Sequence, residues 1–342
     1  MRSPRGKVSI RDVAEAAGVS VATVSNVVRG RKNVSQAVRE RIQETIETLG
    51  YFPDRAAIQL REGSNRVVGV LVPSLDNPFF TAIIACLETC ARNDGYDIIV
   101  ASAGEDAASA SSRLRALLSW RPAGMVVLPN DDHFADAALL SASAVPYVVL
   151  DRLPQSCTAD TVAVDNEQAA SDAADYLAGL GHRKMLVVAT TLSLANIRQR
   201  HAGIVAFCAR AGLPEPKVLE VGHHAEEALP TLAAALAEND APTAIIALTN
   251  SITLGALRCL HQSGHVVPDD VSLVGYDDYA WMRATLPPIT AIRQPVEELG
   301  EQAWRRLTHR IAGDSTAPVQ VRLPCMLAVR GSTAPPRTGK LS

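Results

Sequence analysis

Nowhere in the 342 residues does an apolar run reach the roughly eighteen needed to cross a bilayer, so no membrane partner is expected. The N-terminal stretch MRSPRGKVS is polar and basic with no apolar segment behind it. No secretory signal is therefore expected, and the chain reads as cytoplasmic. The six cysteines (Cys86, Cys90, Cys157, Cys208, Cys259, Cys325) are scattered. Cys86 and Cys90 stand one helical turn apart, but no second pair or histidine cluster completes a metal site. They read as reduced thiols, with no metal and no cofactor. Signatures of catalysis are missing as well: no G-x-S-x-G elbow, no G-x-x-x-x-G-K-[ST] phosphate loop, no H-E-x-x-H. His182, in LGHRK, falls just before a strand and away from the strand ends where ligands gather, so no catalytic residue is assigned.

What is present divides by charge. Residues 1–62 hold 11 Lys/Arg against 7 Asp/Glu, a net +4, while the remainder holds 22 against 29, a net −7. A basic piece on an acidic body points to a polyanionic partner for the first segment. The patterning divides at the same place. Ser9 is a plausible N-cap with Asp12 three residues on, followed by Ile10, Val13, Ala14 and Ala17 on one helical face. Gly18-Val19 supplies a turn, Ser20 caps a second helix with Val24, Val27 and Val28 inward, and Ser35 opens a third with Val38, Ile42, Ile46 and Leu49 inward. The segment Asp54–Arg61 has helical potential but little to bury. From residue 67 onward, β-rich runs alternate with amphipathic helices: 67–73, 97–103, 124–130, 145–152, 184–190, 244–250 and 271–278, with helices around 168–180 and 296–311. Runs of this kind are strands buried on both faces of a parallel sheet. The fold class is therefore α/β, with an all-α headpiece followed by doubly wound domains, and nearly 270 residues suffice for two lobes.

Two short helices joined by a glycine turn form a helix-turn-helix pattern, whose second helix fits the major groove of DNA. Its first turn presents Val21, Ala22 and, one turn later, Asn26 to base edges. Thr23 and Ser25 are placed for phosphate oxygens, as are Arg29, Arg31 and Lys32. The stretches IRDVAEAAGVSVATVSNVVRG (10–30) and NVSQAVRERIQETIETLGYFPDRAAIQL (33–60) resemble the headpiece of the LacI/GalR family of bacterial regulators. The resemblance implies that the second helix enters the major groove and that Asn33 also contacts DNA. It implies too that 54–61 is a hinge helix, with Leu60 as a minor-groove wedge and Ala57 near the partner hinge. A homodimer on a palindromic, double-stranded operator follows from the same resemblance. Val21 and Ala22 favour thymine methyls, and Asn26 suits adenine.

Several strand-end loops carry groups suited to a polyhydroxylated ligand: 74–80, 150–152, the stretch around Arg198 and Arg200, 248–251 and 275–278. Each alone is explained by a turn or a helix cap; together they argue for a pocket. The family resemblance continues through a periplasmic-binding-protein-like effector domain, about 66–331. It implies ligand contacts from Phe79, Phe80, Asp151, Arg200 and Asp277, to which the strand-end loops add Asn77 and Asn250. It also implies lobes of about 66–162 with 292–322, and 163–291 with 323–331, preceded by a headpiece (1–53) and a hinge and linker (54–65); the tail (332–342), bearing Pro, Thr and Lys, is expected to be disordered. Departures from the family matter here. Thr249-Asn250 stands where many relatives have Asn-Asp, His224 where many stack an aromatic ring, and Arg152 adds a cation beside Asp151. With Arg198 and Arg200 nearby, these changes favour a sugar acid or keto-sugar acid over a neutral sugar. Two rivals remain: a transport-type solute-binding protein, which would need export, and a constitutive DNA binder with a vestigial pocket.

Overall fold

The computed structural model describes residues 8–28, 33–52, 65–104, 107–130, 137–154, 157–222, 226, 228–238 and 241–337. These residues form two compact units, 1–65 and 66–342, and each is built on its own logic.

The first unit holds α1 (Ile10–Ala16), α2 (Val21–Val28) and α3 (Gln36–Leu49). Asp12 accepts hydrogen bonds from the backbone N–H and the hydroxyl of Ser9, at 2.7 and 2.9 Å. These bonds hold its carboxyl below the usual aspartate range. Gly18 turns the chain at φ +64°, a left-handed conformation that costs a side-chain-bearing residue energy. Ser20 then caps α2, its Oγ accepting the Thr23 N–H at 3.1 Å. Val13, Ala14, Ala17, Val24, Val27 and Ile42 make the core, with Ile10, Val28, Val38, Ile46 and Leu49 packed around it.

The second unit contains two six-stranded sheets. One takes β1 (Val67–Val72), β2 (Asp97–Ser102), β3 (Gly124–Val127), β4 (Tyr147–Leu150), β5 (Asp160–Val164) and β11 (Gln320–Leu323), in the order β11-β5-β4-β3-β1-β2, all parallel. The other takes β6 (Met185–Ala189), β7 (Lys217–Glu220), β8 (Ala244–Ala247), β9 (Ser272–Tyr276), β10 (Thr290–Arg293) and β12 (Met326–Ala328), in the order β12-β10-β9-β8-β6-β7. Only β12 runs antiparallel in it. Helices α4 (Pro78–Asn93), α5 (Ala107–Ser119), α6 (Ala137–Ser143) and α12 (Val296–Ile311) serve the first lobe. Helices α7 (Asn166–Gly179), α8 (Ala195–Arg210), α9 (Ala228–Leu236), α10 (Asn250–Gln262) and α11 (Ala280–Ala284) serve the second.

In each sheet the chain starts centrally and reverses direction of growth, at β1/β3 and at β6/β8, leaving a crevice beyond the strand C-termini where ligands bind in open α/β sheets. The chain passes between lobes after Val164, Arg293 and Leu323, up to two residues later than the expected crossovers, because β5 and β10 run on to their own ends.

One buried ionic cluster ties the first lobe together. Asp160, 1% exposed, accepts two hydrogen bonds from Arg310 at 2.7 and 2.9 Å and one from the Val319 N–H at 2.7 Å. Burial by itself would raise its pKa, but Arg310, Val319 and Arg306 outweigh this and hold the carboxyl below its ordinary value.

The tail corrects an expectation. Residues 332–337 are packed rather than disordered: Ser332 is fully buried, donating to the Leu273 carbonyl at 2.6 Å and accepting the Thr290 N–H at 2.8 Å. Ala334 engages Ser272 and His182, and Arg337 pairs with Asp269 and Asp270. Its Pro- and Thr-rich composition conceals this because the segment is held by hydrogen bonds to distant strand starts, not by apolar side chains. His182, 1% exposed, bridges Thr243 at 2.8 Å, Ser272 and Ala334, and burial lowers its basicity.

Candidate functional site

Two sites arise, one in each unit. On α2 the inward positions Val24 and Val27 are buried, while Val21 and Ala22 are exposed and Thr23, Ser25 and Asn26 are half-buried along the outer side. The Thr23 hydroxyl lies 2.8 Å from Ser20 Oγ, so it belongs to the cap that starts the helix. Asn33, ahead of α3, is exposed. Arg29, Ala57 and Leu60 lie outside the described residues. An exposed helix start with small and amide side chains is the geometry that a major groove admits.

The second site is a cleft of about 490 Å³ between the lobes, lined from the loops after β1, β3, β4, β6, β8, β9 and β10. The structure brings Asn77, Phe79, Phe80, Asp151, Arg152, Arg200, Asn250 and Asp277 to its wall. Asn77 caps α4, its Oδ1 accepting the Phe79 N–H at 3.0 Å. Phe79 and Phe80 pack edge to face at 5.5 Å, and the Arg152 guanidinium sits 5.8 Å over the Phe80 ring. Arg152 also donates to the carbonyls of Pro129 and Asn130.

Arg200 is the electrostatic centre of the cleft. It is 3% exposed, stacks 3.6 Å from the Tyr276 ring centroid, and donates to Asn166 at 2.8 Å and to the Leu248 carbonyl at 2.7 Å. Burial raises the carboxyls of Asp151 and Asp277, and Arg200 opposes the rise in both. Asp151 is also opposed by Arg152 and by Asn196, which donates to it at 3.3 Å across the lobes; Asp277 accepts from Gln294 at 2.6 Å. A second cross-lobe bond joins the Tyr279 hydroxyl to Asn77 Oδ1 at 3.4 Å. Asp151 and Asp277 have φ of +70° and +81°, a strained backbone of the kind that clusters at ligand sites.

Arg198 does not line the cleft. Its Nη1 donates to the carbonyls of Leu192 and Ser193, bracing the loop after β6. Residues two apart on a helix point in nearly opposite directions, so Arg198 and Arg200 cannot share one face of α8. His224 lies outside the described residues. Missed in the sequence were Asn130, Thr190, Asn196 and Gln294, all in the wall. Asn130, Thr190 and Gln294 each bring there a buried side-chain oxygen without a hydrogen-bond partner among the described residues. Such orphans cost roughly 1–3 kcal/mol each unless a ligand or water meets them, so they mark where polar ligand groups belong. Asn130 ends a recognisable strand run and was legible in principle; Gln294 follows β10, which the patterning did not reveal.

Among the described residues, no group of three or more His, Cys, Asp and Glu could hold a metal, and no helix is long and apolar enough to cross a membrane. All six cysteines are free, and burial pushes the Cys86 thiol up to about 12, which leaves it unreactive.

Comparison with known proteins covers both units. Residues 9–54 match the family described as bacterial regulatory proteins, lacI family, and residues 65–330 match periplasmic binding proteins and sugar binding domain of LacI family. The chain is 33% identical to the HTH-type transcriptional regulator PtxS of Pseudomonas putida over 97% of both chains. Among solved structures, it is similar to the lac repressor dimer bound to operator and an anti-inducer (TM-score 0.85, 29% identity, 96% of this chain and 100% of that one). It is similar also to a CelR–cellobiose complex (TM-score 0.71, 27% identity, 95% and 99%). PtxS and CelR are transcription regulators, not enzymes; the lac repressor dimer is bound to operator, and CelR to cellobiose.

Proposed function

The chain belongs to the LacI family of DNA-binding, effector-responsive transcription regulators, and from that premise we propose a cytoplasmic homodimer that represses a carbohydrate or sugar-acid utilisation operon. In this reading α2 enters the major groove of a palindromic operator with Val21, Ala22 and Asn26 toward the bases. Thr23, Ser25 and Arg29 hold the phosphate backbone, Asn33 also contacts DNA, and the 54–61 segment pairs with its copy, with Leu60 wedged in the minor groove and Ala57 near the partner hinge. The effector fills the cleft between Phe79, Phe80, Asp151, Arg152, Arg200, Asn250, Asp277 and Asn77, and by the family resemblance His224 also contacts it. Closure of the lobes over the effector shifts the paired hinges, and a few kcal/mol of differential affinity suffices to switch a promoter.

A sugar acid or keto-sugar acid is the effector class we favour. The observation that carries this choice is the Arg200 guanidinium: Nε and Nη1 are spent on the protein, while Nη2 has no hydrogen-bond partner among the described residues of a wall that Arg200 lines. Arg152 adds a second cation, and the two carboxylates beside them are the groups that burial disfavours in charged form. Without Arg198 the cationic excess is smaller than the sequence suggested, so selectivity rests on Arg152 and Arg200.

A thermal-shift panel of neutral sugars, aldonates, uronates and keto-acids tests the reading. A ligand at one hundred times its Kd adds about 2.7 kcal/mol, a rise of a few degrees for a body of this size. A response confined to neutral sugars would remove the acid. Operator affinity indifferent to every metabolite would favour the constitutive regulator.

A further inference from the structure

The polar side chains of the cleft are partly committed to the protein, and that commitment decides what each one offers a ligand. Asn250 is the clearest case. The indole of Trp281 is a hydrogen-bond donor and never an acceptor, and its Nε1 lies 2.9 Å from Asn250 Oδ1. Turning the amide over would set its NH2 group against the indole N–H, donor against donor, so Asn250 is held in one orientation. Its carbonyl is thereby turned toward the indole. The Nδ2 group is what remains for the cleft, whose wall includes Asn250 but not Trp281. Trp281 is half-buried and packed on the core of the second lobe, which fixes the indole in turn.

The neighbouring amides contrast with this. Gln294 donates one Nε2 hydrogen to Asp277 and Asn130 one Nδ2 hydrogen to the Gly104 carbonyl, while the side-chain oxygens of both are buried without a partner among the described residues and stand as acceptors. The wall is therefore polarised, with Asn250 and Arg200 as donors and Asn130 and Gln294 as acceptors.

We propose that Trp281 is a positioning residue for ligand specificity: it locks Asn250 as a donor, so that the cleft selects at this point a carbonyl or carboxylate oxygen on a ligand that offers hydroxyls elsewhere. The ligand class rests on the sugar-acid reading; the locking of the amide does not. An Asn250→Asp substitution keeps the acceptor for the indole but puts an anionic oxygen where the NH2 stood, reversing the polarity with almost no change of shape.

The experiment uses the full chain in ¹⁵N-labelled form with two readouts. The first needs no ligand. The Trp281 indole N–H exchanges slowly with water in the wild type and fast in Asn250→Ala; equal, fast exchange in both overturns the lock. The second compares matched probes, D-gluconate against D-glucitol and D-glucuronate against D-glucose, by calorimetry. The wild type prefers the acid of a pair. Trp281→Phe, which keeps an aromatic ring but removes the N–H, lowers that preference about fivefold, the scale of one hydrogen bond. Asn250→Asp lowers it further. Preferences identical in wild type and both variants overturn the specificity role. A wild type that binds neither member of either pair counts against the sugar-acid reading, and the indole signal then still decides the lock by itself.

Discussion

The recognition helix and the cleft solve the same problem, recognition of a polar partner, in opposite ways. On α2 the outward side chains belong to consecutive turns of one helix, and their exposure is set by Val24 and Val27 pointing inward. In the cleft, Asp151, Asn250 and Asp277 follow three separate strands and Arg200 stands on α8, and they are held by bonds to other parts of the body, such as Arg200 to the Leu248 carbonyl and Trp281 to Asn250. A helix surface is preorganised by local hydrogen bonding; a cleft is preorganised only when the whole body is folded. Changes on α2 should thus alter one readout alone, whereas changes in the body that disturb its buried charges should alter everything the body does.

The largest effect expected is on the body. Arg310→Ala leaves Asp160 buried without its bidentate partner and should cost about 3–5 kcal/mol in denaturant unfolding, with ligand response lost at temperatures the wild type tolerates. The pH dependence has a definite sign. Because the folded Asp160 carboxyl titrates below its unfolded value, its contribution is complete above the unfolded value and is lost as pH falls through the folded one. The acid limb of the stability curve should flatten in Arg310→Ala. An unchanged unfolding midpoint would mean that the cluster is not what holds the lobe.

Next in size is Asn26→Ala. It should weaken the best operator by ~1–3 kcal/mol and relax one base position, while leaving random-sequence binding and any ligand-induced thermal shift as they were. Equal losses on specific and random DNA would break the contrast, since α2 would then act as a charge patch rather than a reader.

The smallest effect concerns His182, at the end of the second lobe that the tail covers. Its folded basicity is lowered by burial, so its stabilising share is present above the unfolded value near 6.5 and is lost as pH drops below it. His182→Gln, which cannot titrate, should reduce the fall in stability below that pH by up to ~1.4 kcal/mol per pH unit. Parallel curves for the two proteins would show that the ring does not govern the seat of residues 332–337.

How much of this was legible varied with the distance over which each feature is decided. The three headpiece helices followed from apolar spacing and caps, because Ser9, Ser20 and Gly18 act on residues within one turn. The strands before the β1, β3, β4, β6, β8 and β9 loops were visible as continuous apolar runs, and with them Asn77, Asp151, Asn250 and Asp277 at their ends. The strands β5, β7, β10, β11 and β12 were not, since within each no more than three apolar residues run together. Gln294 went unseen with β10, and Arg198 was placed in the cleft because spacing along the chain was read without the direction of its side chain.

The amino-acid sequence by itself determined which segments are helices, which are buried strands and where polar side chains must follow a strand, because those properties depend on periodicity and on neighbours a few residues away. Tertiary structure alone decided that Asp160 meets Arg310, that Ser332 is buried, and which end of Asn250 faces the cleft. A hydrogen bond or ion pair between residues tens to hundreds of positions apart forms only when the packing of whole lobes brings donor and acceptor within about 3 Å, and no local pattern encodes that meeting.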